Sequence, residues 1–247
     1  MNTKSILPKY PCAYIGQKLD EHSINTWRFG ESFIKYNNWD RITFKKLSYN
    51  HKDANYTIYD IKKIMELSCI LHDIGKAADM YQFGFNDACN EASNKKISFT
   101  YHEVPSSYIT YYVILKKYED EILANLSSLA VLLHIVRRDN PLNYVKYRVF
   151  DRKIWDLRPY YDYIVNNILP DVDLNMLYIR DKDAYNHIKM LRDFVQVNPI
   201  LSKLHIFFLA PIIIGDNIDA RERPNGKHNP WREMFTKQLL EAMGVKT

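Results

Sequence analysis

A histidine and an aspartate, His72 and Asp73, are adjacent at the end of an apolar pattern with helical spacing. Burying an unpaired charge is costly, and coordination of a metal ion removes much of that cost. Imidazole and carboxylate groups suit Mn, Fe, Co, Ni and Zn, and suit Mg less well. We therefore expect His72 and Asp73 to bind a divalent metal together with histidines and aspartates from other apolar segments.

Four more residues at the edges of apolar segments are candidate ligands of the same centre. They are His22, His102, His134 and Asp216. One carboxylate can bridge two cations about 3.5–4 Å apart, and such a pair holds the reacting oxygens of a phosphoryl displacement. These residue types therefore indicate a metal-dependent phosphate-ester hydrolase. Lys76, one turn after His72, is a candidate catalytic cation that would contact a phosphate oxygen.

The remaining histidines have contexts typical of core, surface or loop positions. They are His51, His187, His205 and His228. Asp219 is harder to interpret, because it lies three residues after Asp216 and would share its helix face. An ion pair with a nearby arginine is the favoured interpretation of Asp219.

Apolar residues at helical spacing predict the elements that position these side chains, and strand signals are weak. We expect one helix from Asp60 to a stop at Gly75, and another that begins at Pro105. Further helices are predicted over about 126–137, over 204–214 with a kink at Pro211, and over 232–243. The predicted fold is all-α, a single-domain helical bundle over 1–247. Its core covers about 15–221, followed by a C-terminal loop and helix over 222–247.

Length and composition indicate one large globular domain, with 247 residues of which 47% are hydrophobic. Three scattered cysteines without CxxC spacing, Cys12, Cys69 and Cys89, are expected to be free buried thiols in a reducing compartment. The N-terminus has no apolar signal region, and the longest apolar run, Ile206 to Ile214, is shorter than a membrane span. We expect a soluble, cytoplasmic protein with no membrane partner.

The net charge of +5 is compatible with a nucleic-acid partner. Basic and aromatic residues alternate between Tyr144 and Tyr161, a composition typical of a single-strand binding groove. A solvated helix face whose aromatic side chains pack inward would have the same composition. The candidate nucleic-acid-binding residues are Arg137, Arg138, Lys146, Arg148, Arg152 and Arg221.

The ordered candidate ligands resemble the HD superfamily of metal-dependent phosphohydrolases. The segment from Leu71 to Ala77 and the His-Glu-x-x-Ser element that starts at His102 are similar to motifs of the CRISPR-associated HD nucleases of type I systems. The length resembles the stand-alone subunit of that nuclease, which is separate from its helicase partner. The resemblance implies an endonuclease that cuts single-stranded DNA in a CRISPR effector complex by means of metal-activated water.

The resemblance also implies how the ligands divide between one or two divalent ions, which would be Mn, Ni, Co or Mg. The first ion would be held by His22, His72, Asp73 and Asp216. Asp73 would bridge to a second ion held by His102 and His134, where the family usually has two adjacent histidines and this chain has one. Two alternatives remain open: an HD phosphohydrolase that acts on nucleotides, and a non-catalytic HD subunit that binds nucleic acid.

Overall fold

The computed structural model describes residues 7–51, 55–92, 97–135, 140–144, 152–170 and 172–222, and single positions at 234, 237 and 241. Over the continuous ranges the fold is all-α, which confirms the predicted class. The helices are α1 (Leu19–Asn37), α2 (Trp39–Asn50), α3 (Ile58–Leu71), α4 (Asp79–Gln82), α5 (Glu103–Tyr118), α6 (Glu121–Leu133), α7 (Tyr161–Asn167), α8 (Asp181–Val197) and α9 (Ile206–Glu222).

Two short antiparallel β-ribbons lie beside the helices. Strand β1 (Cys12–Tyr14) pairs with β2 (Gln17–Lys18), and β3 (Ile154–Asp156) pairs with β4 (Tyr178–Arg180). The first ribbon leads directly into α1, so it fixes where that helix begins.

Helix α3 carries the apolar pattern that ends in the His-Asp pair. It begins at a capping box, in which the Thr57 side chain accepts from the Asp60 amide and the Asp60 carboxylate accepts from the Thr57 amide. It ends at Leu71, four residues before the predicted stop at Gly75. Gly75 instead belongs to a 3₁₀ turn over Ile74–Ala77. An added Cβ there would collide with the backbone carbonyl of His102, so close packing explains this glycine.

The other helices also differ in their ends from the predictions. Helix α5 begins two residues before Pro105, and α6 covers 121–133 where 126–137 was expected. Helix α9 continues through Pro211 to Glu222, well past the expected end at Ile214. The helix predicted over 232–243 falls mostly outside the described residues.

Helices α1 and α9 approach each other closely along their length. A Cβ on Gly30 of α1 would lie 2.9 Å from the backbone oxygen of Pro211, and a Cβ on Gly215 would collide with the backbone carbonyl of Thr26. The two glycines thus allow backbone-to-backbone contact at the crossing. This contact brings the first turn of α1 beside the last turns of α9.

The buried apolar side chains form two large clusters that meet between α3, α5 and α6. One contains side chains of α1, α2, α3, α6 and α9, including Ile64 and Phe208. The other extends from the 3₁₀ turn at residues 74–77 to α7 and α8, with Trp155 fully buried in it. The candidate ligands come from elements of both clusters.

Two of the three cysteines are joined in a disulfide, Cys12–Cys89, so the prediction of three free thiols was wrong for this pair. The partners are 77 residues apart, and local spacing carries no sign of the pairing. The loop after α4 also contacts the turn between β1 and β2, where Gly16 donates to the Cys89 carbonyl at 2.9 Å. Cys69 is a free, buried thiol, as predicted.

One stretch, Leu201–Glu222, is long and apolar enough by length and composition to cross a membrane, and 44% of its most apolar window is buried inside the protein. It includes α9, which packs against α1, α3 and α6. It also carries two buried or half-buried carboxylates, Asp216 and Asp219. These features are those of a core helix of the bundle.

Candidate metal centre

The structure brings all six predicted ligands together around one carboxylate. The potential ligand atoms fall into two groups, and within each group all lie within 4.8 Å of one another. The first group is His22, His72, Asp73 and Asp216, and the second is Asp73, His102 and His134. Asp73 belongs to both groups, the division expected for a bridging ligand.

The two oxygens of Asp73 face different groups. Oδ2 lies 2.8 Å from His22 Nε2 and 3.4 Å from His72 Nε2. Oδ1 lies 2.7 Å from His102 Nε2 and 3.4 Å from His134 Nε2. A carboxylate oriented in this way can contact two cations at once.

Hydrogen bonds at the far side of each ring direct the Nε2 atoms of the histidines toward the centre. Three Nδ1 atoms donate to the backbone carbonyl three residues earlier, at distances of 2.6–2.7 Å: those of His72, His102 and His134. A neutral imidazole with its proton on Nδ1 has its lone pair on Nε2, the form that binds a metal. The donor set therefore fits a divalent transition metal.

His22 has a different partner for its Nδ1, because it lies in the first turn of α1. Its Nδ1 is 2.7 Å from Asp219 Oδ2, and Asp219 also accepts from Gln17 and Asn25. The expected ion pair of Asp219 with an arginine stays a prediction, and the partners described here are these three buried or half-buried side chains. The sequence showed that Asp219 follows Asp216 by three residues, but it did not indicate Gln17 or Asn25.

Lys76 is nearly completely buried and forms an ion pair with Asp73, with Nζ 2.6 Å from Oδ2. Its ammonium group also lies 3.6 Å from the centre of the Tyr14 ring. The expected contact of Lys76 with a phosphate oxygen stays a prediction. What the structure shows is a contact with the carboxylate shared by both groups.

Burial and charge act against each other on the pKa values of this centre. Burial lowers the pKa of His72 to about 3, which keeps its imidazole neutral. Burial alone would raise the pKa of Asp73, but Lys76 and the surrounding imidazoles hold it well below its usual value. Burial alone would lower the pKa of Lys76, but Asp73 raises it. His72 is thus neutral and Asp73 ionised, the states in which these groups bind metal. Burial alone would lower the pKa of His134, but its contact with Asp73 raises it.

The serine of the His-Glu-x-x-Ser element holds the two ligand-bearing segments together. Ser106 Oγ accepts from the backbone N–H of Gly75 at 2.8 Å. This bond attaches the first turn of α5 to the 3₁₀ turn that follows Asp73, and so connects the segment of His102 to that of Asp73.

Comparison with known proteins decides the family. No protein-family model matches the sequence. A protein from Saccharolobus solfataricus named CRISPR-associated endonuclease Cas3-HD is 30% identical over 237 residues, covering 93% of this chain and 96% of that protein. The chain belongs to the Cas3-HD family. The resemblance inferred from the motifs is therefore confirmed.

Further Cas3-HD proteins match shorter parts of the chain. The Cas3-HD endonuclease of Methanocaldococcus jannaschii is 37% identical over 107 residues, or 41% of each protein. A solved structure of a Cas3 HD domain protein from the same organism superposes with a TM-score of 0.57 and 23% identity, covering 83% of this chain and 98% of that one. The Cas3-HD fold is thus shown independently of the sequence match.

The predicted nucleic-acid-binding residues are only partly described. Arg137, Arg138, Lys146 and Arg148 lie outside the described residues of this Cas3-HD chain. Arg152 and Arg221 are exposed, and Arg221 lies in the last turn of α9, five residues after Asp216. Binding of nucleic acid by these residues therefore stays a prediction.

The other described histidines lie away from the Cas3-HD centre. His187 is buried, with Nε2 2.9 Å from Ser107 Oγ and 3.1 Å from Ser128 Oγ. His205 donates to the Ser202 carbonyl, and His51 lies 3.4 Å from Asp120. His228 lies outside the described residues.

Proposed function

We propose that this chain is a metal-dependent nuclease that hydrolyses phosphodiester bonds of single-stranded DNA in CRISPR interference. The observation that carries the proposal is the position of Asp73 between two groups of potential ligands. A single metal site needs no shared carboxylate, whereas one that faces two groups of ligands can bridge a cation pair, and such a pair stabilises both the attacking and the leaving oxygen of a phosphoryl displacement.

The protein residues would have three tasks in this reaction. Four imidazoles present Nε2 toward the centre, and Asp73 and Asp216 supply negative charge beside them. Divalent cations supply Lewis acidity, which polarises phosphate oxygens and lowers the pKa of water. Lys76 keeps Asp73 ionised and limits the excess negative charge when the centre is empty. Water is the nucleophile, so no side chain needs to form a covalent bond to phosphorus.

The centre is most accessible to solvent at Asp216. Asp216 has the most exposed side chain of the six, at 15%, whereas those of His22 and His72 are fully buried. A phosphate would therefore approach from the Asp216 side. We further propose that the nuclease acts with a separate helicase subunit, which would supply the single strand within a CRISPR effector complex.

The test is cleavage of labelled single-stranded DNA by the purified protein with Mn²⁺, Ni²⁺, Co²⁺ or Mg²⁺ added singly after chelation. We expect cleavage with at least one cation, and no cleavage with EDTA. Asp73→Asn and His72→Ala should lower the rate by about 100-fold or more, because each removes a ligand. Two matched controls, Asp162→Asn on the exposed face of α7 and His205→Ala, should cleave at the parental rate.

Three outcomes would contradict the proposal. The first is intact DNA with every cation, and the second is full activity of Asp73→Asn. The third is turnover of nucleoside triphosphates without DNA cleavage, which would favour an HD phosphohydrolase acting on nucleotides. Measurement of bound metal by mass spectrometry separates the remaining alternative, since a non-catalytic subunit that has lost the centre would bind none.

A further inference from the structure

Asp219 is buried at the centre although it belongs to neither group of potential ligands, and the proposed nuclease activity gives it no task. It lies on α9 three residues after Asp216, so both carboxylates point from the same helix face toward the first turn of α1. Its Oδ2 contacts the Nδ1 of His22, whose Nε2 lies 3.2 Å from His72 Nε2 and 2.8 Å from Asp73 Oδ2. Asp219 therefore reaches the centre through the His22 ring.

We propose that Asp219 is a positioning residue: its carboxylate fixes the proton of His22 on Nδ1 and so directs Nε2 at the first metal position. This inference rests on the proposed function. It assigns to one side chain of α9 the task that the backbone carbonyls of Cys69, Phe99 and Val131 perform for the other three histidines. A carboxylate partner also increases the basicity of a ligand imidazole.

The surroundings of Asp219 require a carboxylate. Gln17 Nε2 is 3.0 Å from Oδ1 and 3.1 Å from Oδ2, and Asn25 Nδ2 is 2.9 Å from Oδ1. With His22 Nδ1 at Oδ2, three donor groups converge on two oxygens that can only accept. An asparagine would place its own N–H₂ against one of these donors, and an alanine would leave all three without this acceptor.

The hydrogen bonds of Asp219 connect three elements of the fold. Gln17 comes from β2, Asn25 and His22 from α1, and Asp219 from α9. Through Asp219, the orientation of the His22 ring depends on the position of α9, the helix that also carries Asp216. A rotation of α9 would therefore move Asp216, a potential ligand, together with Asp219, which contacts the potential ligand His22.

The test measures Mn²⁺ binding by titration calorimetry in the chelator-treated full chain, with no assay of cleavage. We expect the dissociation constant of the tighter site to rise by about 10–100-fold in Asp219→Asn and Asp219→Ala. Asp162→Asn, which changes an exposed aspartate that belongs to neither group of potential ligands, is the control and should change it by about twofold at most.

A His22→Ala background distinguishes positioning from direct coordination. If Asp219 acts through His22, adding Asp219→Ala to His22→Ala should change the Mn²⁺ affinity by no more than about twofold. The same large loss with and without His22 would mean that Asp219 binds the metal or acts by charge alone, and the inference would be wrong.

Nitrogen-15 NMR of the metal-free wild-type protein tests the hydrogen bond itself, whether or not the variants fold. We expect Nδ1 of His22 to carry a protected proton, and the Asp219→Ala variant to lose that protection. An unprotonated Nδ1 in the wild-type protein overturns the inference. If the wild-type protein binds no metal, the proposed function fails, while the NMR result still decides the role of Asp219.

Discussion

At the scale of single residues, Asp73 and Lys76 form a buried ion pair for which the proposed metal centre gives a reason. A buried ion pair contributes little net stability, because removing both charges from water offsets much of their attraction. The same pair makes sense if Asp73 must stay ionised for cations while the protein must also fold without them. Lys76 then balances the charge of Asp73 in the empty centre.

This role predicts a stability change that depends on metal. In the presence of EDTA, Lys76→Met should lower the free energy of unfolding by about 3 kcal/mol, because it leaves the buried Asp73 carboxylate without its cation. Added Mn²⁺ should reduce that difference, since the metal supplies positive charge at the same carboxylate. Urea unfolding followed by circular dichroism measures both values.

Lys63→Met is the matched control for Lys76→Met. Lys63 pairs with Glu66 on the surface, where its side chain is 38% exposed, so its loss should cost less than about 1 kcal/mol. Equal effects of the two substitutions, or a Lys76→Met effect that Mn²⁺ does not change, would contradict the assigned role of Lys76.

His187 gives a second prediction at the residue scale, on the pH dependence of stability. Burial lowers its pKa to about 3, against 6.5 for an ordinary histidine. Below pH 6.5 the unfolded chain binds a proton at His187 that the folded chain does not bind. The free energy of unfolding should therefore fall with falling pH, by up to about 1.4 kcal/mol per pH unit from this group.

A neutral replacement isolates the contribution of His187. His187→Gln keeps a polar group near Ser107 and Ser128 but does not titrate, so its stability should fall less steeply than that of the wild-type protein. Urea unfolding at several values between about pH 7 and pH 4.5 gives the two slopes. Parallel curves would show that His187 can be protonated without loss of the native packing.

At the scale of elements, the crossing of α1 and α9 determines whether His22 meets its partners. Residue types alone predicted the six candidate ligands, because histidine and aspartate are unusual on apolar segments. Gly215 and Gly30 were not predicted to control their geometry, since a single sequence does not show which helices touch. For the same reason, the sequence did not show that Asp219 lies behind His22, or that Ser106 binds the Gly75 amide.

Gly215→Ala tests this crossing. In an open helix, replacing glycine by alanine stabilises by about 1 kcal/mol. Here the new methyl group would meet the backbone carbonyl of Thr26, so we expect a loss of about 1–3 kcal/mol in the free energy of unfolding. Mn²⁺ affinity should also fall, because His22 and Asp216 are carried by the two helices that must move apart.

The control for Gly215→Ala is the reverse change at Ala220 in the same helix. Ala220→Gly should cost about 1 kcal/mol from helix propensity and leave Mn²⁺ affinity within about twofold. A stabilising effect of Gly215→Ala would show that α1 and α9 are not in backbone contact in solution.

At the scale of the whole molecule, the Cys12–Cys89 disulfide joins β1 to the loop after α4. Gln82 reinforces the same connection, since its side chain bonds both to the backbone of Cys12 and to the Lys76 carbonyl. The segment that carries Tyr14 onto Lys76 is thereby fixed. The sequence predicted neither contact, because residues distant along the chain meet here only after folding.

Reduction of this disulfide should lower the free energy of unfolding by about 4 kcal/mol, mainly because the unfolded chain gains conformational freedom. Urea unfolding with and without dithiothreitol measures the effect. The double variant Cys12→Ser/Cys89→Ser should resemble the reduced wild-type protein and should not respond to dithiothreitol. A wild-type protein that is equally stable in both conditions would contradict the prediction.

The way in which the four histidines are supported has a consequence for divergence within the family. Because a main-chain carbonyl is present whatever the side chain, positions 69, 99 and 131 can mutate without releasing His72, His102 or His134. The orientation of His22 is more sensitive to mutation, because the group that accepts from its Nδ1 is a side chain on another helix. Homologues that keep a histidine at position 22 should therefore keep an acidic residue at position 219 even where the surrounding sequence has drifted.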